Sequence, residues 1–424
     1  MLNINFIREN LEIVKNSIKN RNLTLDIDKI ISIDTERREK LKTLEALKNQ
    51  RNTVSKEIGN LKKTNQDASK KLEEMKTVSQ EIKERDKEFL AIETELKKYL
   101  STIPNIPHDS VPVGPDASFN QEIRSWGEIP EFDFTPRPHW EIAADLDIID
   151  LPRGSKITGS GFILYKGLGA KLERSLINFM LDTHTEKHNY TEIFPPFLVN
   201  RESMYGTGQL PKLEEDMYKI PDEDLFLIPT AEVPVTNIFR NEILKEKQLP
   251  IYYTAYTPCF RKEAGSYGKE TKGMNRVHQF DKVELVKFVK PETSYNELES
   301  LVNNAEEILK LLEIPYRVLL LSSGDISFAA AKCYDLEAFS TGQNIYLEVS
   351  SCSNFENFQS RRANIRYKRE NDQKNIYPHT LNGSGLALAR IVAVILENYQ
   401  QKDGSVKIPS VLIPYMGCSI ITKR

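Results

Sequence analysis

Apolar residues recur at helical spacing through most of the first hundred positions. Residues 31–100 contain no proline and one glycine, and Lys, Glu and Leu dominate them. Two heptad-like runs flank a break at 59–69. They are Leu47, Val54, Ile58 and Leu61, then Leu72, Met75, Ile82, Phe89, Leu96 and Leu100. This pattern predicts two long helices that fold into an antiparallel coiled-coil hairpin with one narrow apolar seam.

A second kind of pattern begins after a proline-rich segment. The segment IPNIPHDSVPVGPDAS at 103–118 has four prolines, which exclude a helix and mark a linker. Beyond it, strand-like segments lie at 225–230, 250–262, 276–288, 317–322 and 344–351, and helical ones at 168–187, 294–312 and 386–400. Strands joined by hairpins, with helices added, predict an α+β fold with an antiparallel sheet. We therefore expect an N-terminal helical domain at 1–102 and a second domain at 119–424.

One predicted strand, RVHQFDKVELVKF at 276–288, has a polar face. Side chains two apart share a face of a strand. On this strand the face comprises Arg276, His278, Phe280, Lys282 and Glu284. Arg261 and Glu263 share a face of the strand before it. Guanidiniums suit phosphate oxygens, an aromatic ring stacks on a base, and a carboxylate accepts an ammonium or a hydroxyl. The set fits ATP plus an amino acid, and the alternative is an exposed hairpin with surface ion pairs.

Two further segments carry polar groups of the same kind. The strand NIYLEVSSCSNF is predicted to place Glu348 and Ser350 on one face, with Ser351 at its end. A carboxylate beside a hydroxyl is a candidate Mg²⁺ site, since hard cations take oxygen ligands. In LNGSGLALARIVAVILENYQ, a Gly-Ser-Gly turn leads into an apolar helix that contains Arg390. A charge in such a helix needs a partner, either an internal carboxylate or an anionic ligand.

The charge composition bears on whether the protein binds nucleic acid. The chain has 424 residues and a formal net charge of −3, so nucleic-acid binding would require a local patch. Such a patch lies near the hairpin tip, where only Glu57 and Asp67 oppose seven basic residues. These are Lys48, Arg51, Lys56, Lys62, Lys63, Lys70 and Lys71. The patch is either a solvated coiled-coil face or an arm that binds phosphates.

The remaining composition points to a reducing compartment. The four cysteines form no CxxC pair and have no metal-site spacing, which suits a cytoplasmic protein. The N-terminus lacks the basic and apolar regions of a signal peptide. No apolar run approaches the ~20 residues that a membrane span requires.

These segments together resemble the bacterial-type seryl-tRNA synthetases, which are class II aminoacyl-tRNA synthetases. FRKEAGSYGKETKGMNRVHQFDKVEL resembles the second class signature, and LNGSGLALARIVAVILENYQ resembles the third. HNYTEIFPPFLV resembles the first, which builds the dimer interface in the class. The joint occurrence of TAE, RxHQFxKVE and ExSSxSN in this order is specific to the seryl branch. The resemblance spans nearly the whole chain and implies a class II catalytic domain.

The resemblance also implies roles for individual residues. Thr230, Ala231 and Glu232 fall on the family's serine-binding TAE, and Glu284 and Ser384 fall on its other serine contacts. Arg261 falls on the arginine that holds the ATP α-phosphate and the serine carboxylate, and Lys262 and Glu263 complete that ATP-binding triplet. The implied adenine contacts are Val277 and Phe280.

The triphosphate and metal ligands come from the last two segments. The family's ATP-binding run corresponds to Glu348, Val349, Ser350 and Ser351, with Glu348 and Ser351 as Mg²⁺ ligands. Arg390 falls on the arginine that grips the γ-phosphate. Arg261, Glu348 and Arg390 are therefore the expected catalytic residues. The polar loop from Gly265 to Gly273 is expected to become ordered when ATP or the tRNA end arrives.

The implied activity is the two-step ligation of L-serine to tRNA(Ser) through a seryl-adenylate made from ATP. The family commonly charges selenocysteine tRNA as well, so tRNA(Sec) is a second expected substrate. The basic arm would contact tRNA, and the protein would be a cytoplasmic homodimer. Two alternatives remain: an inactive paralogue that binds tRNA or regulates, and a ligase that loads a carrier protein.

Overall fold

The computed structural model describes residues 1–263 and 272–423. The chain divides into two compact units. The smaller comprises Leu2–Lys19 and Leu23–Pro104, and the larger comprises Met1, Asn20–Asn22 and Asn105–Arg424. The boundary at Pro104 falls inside the predicted linker. Among the described residues, no helix combines the length and apolarity that a membrane crossing requires.

The smaller unit is helical. Its elements are α1 (Ile4–Glu9), α2 (Leu11–Asn20), α3 (Ile27–Lys63) and α4 (Ser69–Leu100). The Asp26 side chain caps α3 by accepting the Lys29 backbone N–H at 3.0 Å, which satisfies one of the free donors of the first turn. The Asp67 side chain accepts the Ser69 N–H at 2.9 Å as α4 begins.

Helices α3 and α4 form the predicted antiparallel hairpin. Its seam consists of two apolar clusters, one around Leu44, Val78 and Ile82 and one around Val54, Ile58 and Ala68. Three ion pairs cross between the helices in antiparallel order. They are Lys40–Glu88 at 3.1 Å, Lys48–Asp86 at 3.0 Å and Glu57–Lys71 at 2.9 Å. Exposed pairs of this kind add little stability, so the seam holds the hairpin together.

The turn is shorter than the sequence predicted. Helix α3 continues through Gly59 to Lys63, and only residues 64–68 form the turn between α3 and α4. A glycine lowers helix stability but does not end a helix whose apolar face is packed on both sides of it. The sequence predicts both Leu72 and Met75 in the seam, but Leu72 is 47% exposed, because Ala68 packs in the seam beside Met75 in its place.

The larger unit is built on one wide sheet and several small ones. The strands of the unit are β1 (Gln121–Trp126), β2 (Thr191–Glu192), β3 (Leu198–Asn200), β4 (Lys219–Ile220), β5 (Leu225–Leu227), β6 (Ile243–Lys245), β7 (Ile251–Phe260), β8 (Gln279–Val289), β9 (Tyr316–Leu320), β10 (Lys332–Ser340), β11 (Ile345–Asn354), β12 (Arg366–Lys368), β13 (Asn375–Ile376), β14 (His379–Ala387), β15 (Val406–Lys407) and β16 (Ile420–Ile421). The wide sheet has the order β1-β9-β10-β11-β14-β8-β7-β2. Its pairs are antiparallel except β2 with β7, which confirms the predicted α+β class.

Helices cover the sheet and bury its apolar side. They are α5 (His139–Asp145), α6 (Leu151–Thr158), α7 (Leu168–Glu186), α8 (Arg201–Thr207), α9 (Glu232–Thr236), α10 (Ser294–Leu311), α11 (Phe358–Arg362), α12 (Leu388–Asn398) and α13 (Ile413–Met416). The main core joins α7, α10 and α12 to β8, β10 and β14. Residues Val283 and Leu285 of β8 are fully buried in it, so the alternate side chains of that strand are turned toward the opposite face.

Candidate active site

A cavity of about 520 Å³ lies in the larger unit, lined by residues of β8, β11 and β14. The strand β8 contributes Phe280 and Lys282, and β14 contributes Asn382 and Ser384. Each pair is two residues apart, as expected for one face of a strand. The polar face that the sequence predicted on β8 therefore faces a cavity and not bulk water.

Glu284 is the centre of a buried polar cluster beside this cavity. Its side chain is fully buried, and its two oxygens accept hydrogen bonds from different elements. The Thr230 hydroxyl donates to Oε2 at 3.0 Å, and the Asn382 amide donates to Oε1 at 2.8 Å. The Lys282 ammonium forms an ion pair with the same carboxylate. Because three donors hold it, the Glu284 carboxylate has a fixed orientation.

A second buried carboxyl, Glu232, lies near Glu284 at the start of α9. The Gln359 side chain donates to its Oε1 at 2.5 Å, and the Thr230 hydroxyl accepts the Glu232 backbone N–H at 3.2 Å. Burial, and then the charge of Glu284, raise the pKa of Glu232 to about 7. The site thus combines a charged carboxylate paired with Lys282 and a carboxyl that titrates near neutral pH.

Arg261 follows the end of β7 and contacts the ring of Phe280 on β8. Its guanidinium lies 5.2 Å from the centroid of the Phe280 ring, and its Nε donates to the Pro229 carbonyl at 3.3 Å. Close by, the Arg276 guanidinium donates to the Glu263 carboxylate at 3.3 Å. Both guanidiniums line the cavity, together with Val277.

A β-bulge in β11 shapes the predicted metal site. Glu348 pairs with Glu337 and Ser350 pairs with Leu336, so Val349 is an extra residue with no counterpart on β10. The extra residue shifts the alternation, and Glu348, Val349 and Ser351 all line the cavity. The prediction that Glu348 and Ser350 share a face is therefore wrong. The Ser350 hydroxyl instead donates to the Ser384 carbonyl at 2.6 Å.

Arg390 lies in the first turn of α12 and joins three parts of the cavity wall. Its Nη1 donates to the Glu348 carbonyl at 2.6 Å and lies 3.6 Å from the Glu348 carboxylate. Its Nε donates to the Asn275 carbonyl at 3.1 Å. The internal carboxylate partner that the sequence left open is thus present, and the guanidinium still lines the cavity.

The structure places most of the predicted residues on the cavity wall. Those that line it are Thr230, Glu232, Arg261, Glu263, Val277, Phe280, Glu348, Val349, Ser351, Ser384 and Arg390. Within the described part of the chain, four of the residues predicted to bind serine or ATP are not in that lining: Ala231, Lys262, Glu284 and Ser350. Ala231 is fully buried, and Glu284 lies directly behind the Thr230, Lys282 and Asn382 side chains that contact it.

The strand-period prediction fails at the start of β8. The strand begins at Gln279, so Arg276 and His278 belong to the turn before it. The His278 backbone N–H donates to the Gly161 carbonyl at 2.7 Å, and its ring packs on Phe162 at 5.5 Å between centroids. The predicted loop from Gly265 to Gly273 lies, up to Thr271, outside the described residues.

Three residues of the buried cluster have no role predicted from the sequence. The strand period places Lys282 on the polar face between Phe280 and Glu284 but does not indicate what it does. Asn382 lies two residues before Ser384 on β14, so the same period could have identified it. Gln359 comes from α11, far along the chain from its partner Glu232, and no local pattern marks it.

Comparisons with known proteins agree with this geometry. Residues 216–399 match the family model described as the tRNA synthetase class II core domain (G, H, P, S and T), and residues 1–107 match that of the seryl-tRNA synthetase N-terminal domain. The antiparallel sheet and its cavity are thus those of a class II aminoacyl-tRNA synthetase.

Individual relatives match over the full length. The serine--tRNA ligase of Carboxydothermus hydrogenoformans is 57% identical over 100% of both chains, and that of Bacillus subtilis is 57% identical over 98% of each. The crystal structure of the seryl-tRNA synthetase from Pyrococcus horikoshii complexed with ATP matches with a TM-score of 0.91 and 40% identity over 100% of both chains. The chain belongs to the seryl-tRNA synthetase family.

Proposed function

We propose that the cavity activates L-serine with ATP and that the hairpin arm of the smaller unit binds the tRNA that receives it. In the first step the serine carboxylate attacks the ATP α-phosphorus, which forms the seryl-adenylate and releases pyrophosphate. In the second step a terminal ribose hydroxyl of the tRNA attacks the adenylate carbonyl. One observation carries the proposal: among the described residues, a cavity in a class II core is lined by the guanidiniums of Arg261, Arg276 and Arg390 and lies against the buried carboxyls of Glu232 and Glu284.

The serine subsite comprises Thr230, Ala231, Glu232, Glu284 and Ser384. The ammonium of serine binds at Glu232, which lines the cavity, and at Glu284, which is buried directly behind that lining. The serine hydroxyl completes the hydrogen bonds of this polar wall. Alanine would leave those groups unpaired, and such a mismatch in a buried site lowers the efficiency of the analogue strongly.

The ATP subsite comprises Arg261, Lys262, Glu263, Val277, Phe280, the run Glu348–Ser351 and Arg390. The adenine ring stacks on Phe280, whose ring now contacts the Arg261 guanidinium. Arg261 neutralises the α-phosphate and the serine carboxylate as these two anions meet, and Arg390 binds the γ-phosphate of the leaving pyrophosphate. Arg261, Glu348 and Arg390 are thus the proposed catalytic residues.

Glu348 and Ser351 fit a Mg²⁺ ion. The bulge at Val349 brings a carboxylate and a hydroxyl to the same wall, and hard cations prefer such oxygen ligands. When bound, the ion would neutralise phosphate charge. The Glu348 carboxylate is now 3.6 Å from Arg390, so the residue that would hold the metal also holds the guanidinium that binds the γ-phosphate.

The arm binds tRNA through its basic tip, at Lys48, Arg51, Lys56, Lys62, Lys63, Lys70 and Lys71. Lys56, Lys62, Lys63 and Lys70 are exposed, so their ammonium groups are open to phosphates. Lys48 and Lys71 are held in ion pairs with carboxylates of the hairpin. The proposed substrates are tRNA(Ser) and, as a second one, tRNA(Sec).

We also propose a homodimer that works in the cytoplasm. Phe194 is 73% exposed beside Phe197, in the segment that resembles the dimer-forming class signature. An exposed apolar patch of this kind favours an interface between copies. The four cysteines are all free thiols, which suits a reducing compartment.

Serine-dependent exchange between ATP and labelled pyrophosphate tests the first step. We expect exchange with serine, and at least a hundredfold less with alanine. Exchange that requires another amino acid, or none with serine, would contradict the proposal. Removal of residues 31–100 should leave exchange intact and abolish tRNA charging, whereas equal loss of both would contradict the role of the arm.

A further inference from the structure

His139, at the start of α5, forms a buried link outside the cavity. Its side chain is 1% exposed, and the Glu397 carboxylate near the end of α12 is fully buried. The distance from His139 Nδ1 to Glu397 Oε1 is 2.7 Å, and the His139 backbone N–H donates to the same oxygen at 2.9 Å. The other ring nitrogen, Nε2, accepts the Met274 backbone N–H at 2.9 Å.

These contacts define the protonation of the ring. Because Nε2 accepts a hydrogen bond, it carries no proton, so Nδ1 carries the proton and donates to Glu397. Burial alone would raise the pKa of Glu397, but hydrogen bonds from His139 and Ser340 hold that pKa below its ordinary value. An ionised carboxylate therefore orients a neutral imidazole, which in turn holds one backbone amide.

That amide lies next to residues of the ATP subsite. Asn275, Arg276 and Val277 follow Met274 directly and line the cavity. A second branch from Glu397 reaches the same segment: Gln343 donates to Glu397 at 3.0 Å and accepts from the Asn275 side chain at 2.7 Å. The Asn275 carbonyl then accepts from Arg390, two helical turns before Glu397 on α12.

The approach of the segment to His139 is close. Gly273 has φ of +70°, and a Cβ at this position would lie 2.2 Å from His139 Nε2. Only glycine lets the backbone pass the ring at this distance in this conformation. The segment is thus fixed from the side of the imidazole and from the side of Arg390.

We propose that His139 is a positioning residue for ATP: oriented by Glu397, it sets the backbone of residues 274–277 relative to α12, so that the adenine contact Val277 and the γ-phosphate contact Arg390 keep a fixed separation. The inference rests on the proposed ATP subsite. A residue with this role affects ATP and leaves serine binding unchanged, because the serine subsite around Glu284 shares none of these hydrogen bonds.

The test compares His139→Asn with His139→Gln. The Asn amide can still donate to Glu397 but leaves the Met274 N–H without an acceptor, whereas the Gln amide oxygen reaches the position of Nε2. We expect H139N to raise the KM for ATP about tenfold, the value of one hydrogen bond, with the KM for serine within about twofold. H139Q should recover most of this loss.

Two further variants keep the test decisive. Gly273→Ala disturbs the same contact from the backbone side and should raise the KM for ATP even if H139N fails to fold. His379→Asn is the matched control, since His379 is a buried histidine bonded to Ser294 at 2.8 Å outside the cavity. It should lower the melting temperature and leave the KM for ATP unchanged.

Direct titration of ATP by calorimetry separates this inference from the proposed function, because it needs no amino acid. If wild-type protein binds ATP but shows no exchange with serine, the proposed function fails, and the Kd for ATP of the variants still tests His139. An unchanged Kd in both H139N and G273A would overturn the inference. Parallel rises in the KM for ATP and for serine would also overturn it.

Discussion

The cavity and the tip of the hairpin arm both use charged side chains, in opposite ways. Beside the cavity, Glu284 is fully buried and three donors hold it. At the tip Lys62 and Lys63 are exposed, and among the described residues neither forms an ion pair. Loss of a buried partner leaves an unpaired charge in the interior, whereas loss of an exposed charge removes one screened contact. Single substitutions at the cavity should therefore have large effects on activity, whereas several substitutions on the arm should be needed for a comparable effect on tRNA binding.

The largest effect should follow from Glu284→Gln. The change removes the proposed ammonium contact, which should lower kcat/KM for serine about 10³-fold. It also leaves the buried Lys282 without its carboxylate, which should lower the free energy of unfolding by about 4 kcal/mol. Pyrophosphate exchange measures the activity and thermal unfolding the stability. Glu297→Gln is the control, because it leaves the buried Lys287 unpaired outside the cavity. It should lower stability with little change in the KM for serine; equal kinetic losses in both variants would refute a local role.

The next effect concerns the pH dependence of stability. Burial raises the pKa of Glu232 from 4.5 to about 7, so the folded state holds a proton that the unfolded state has released. The resulting stability is fully present below pH 4.5 and is lost as the pH rises through 7, in total about 3 kcal/mol. The Glu232→Gln variant should not show this pH-dependent loss of stability. Melting temperatures of the wild-type and variant proteins between pH 4.5 and 8 measure the difference, and parallel curves would mean that Glu232 has an ordinary pKa.

A smaller effect is expected for Arg390→Ala. Removal of one charged donor from the proposed phosphate site should lower kcat for exchange about 10²-fold. Arg124→Ala is a suitable control, since it breaks a shorter and more buried ion pair, with Glu306 at 2.7 Å, outside the cavity. If the two variants lost activity and melting temperature together, Arg390 would be a structural residue.

The smallest effect is expected on the arm. Lys62→Ala with Lys63→Ala should raise the KM for tRNA about fivefold and lower the salt dependence of binding by about one unit per lost phosphate contact. The exchange of ATP with pyrophosphate, measured without tRNA, should be the same in this double variant as in the wild-type protein. The matched pair is Lys48→Ala with Lys71→Ala, whose ammonium groups already contact Asp86, Glu57 and Glu74. A larger loss in this second pair would contradict the comparison between free and paired charges.

The sequence predicted the elements well wherever one period governs a long segment. The hairpin follows from its apolar spacing, and the positions of Phe280 and Glu284 follow from the alternation of β8. The errors lie where a local feature interrupts the period. The bulge at Val349 moves Ser351 to the face of Glu348, and the turn before Gln279 removes Arg276 and His278 from the strand.

Local sequence patterns do not predict hydrogen-bond partners that come from distant segments of the chain. Gln359 reaches Glu232, and Glu397 reaches His139, across more than a hundred residues each. Such contacts depend on how helices dock on the sheet, and spacing along the chain carries no information about that. Family resemblance identified residues from distant segments that line one cavity, because a family shares a tertiary arrangement and not only local spacing.

The ion pair between Lys282 and Glu284 has a consequence for how tightly an amino acid can bind. Because one ammonium already neutralises the carboxylate, a ligand ammonium that arrives there replaces a cation instead of meeting a bare anion. We therefore expect the affinity to equal the gain from the new contact minus the cost of separating the buried Lys282 from its carboxylate. The ammonium contact is common to all amino acids, so in the proposed serine subsite we expect the side-chain hydroxyl to determine which of them binds.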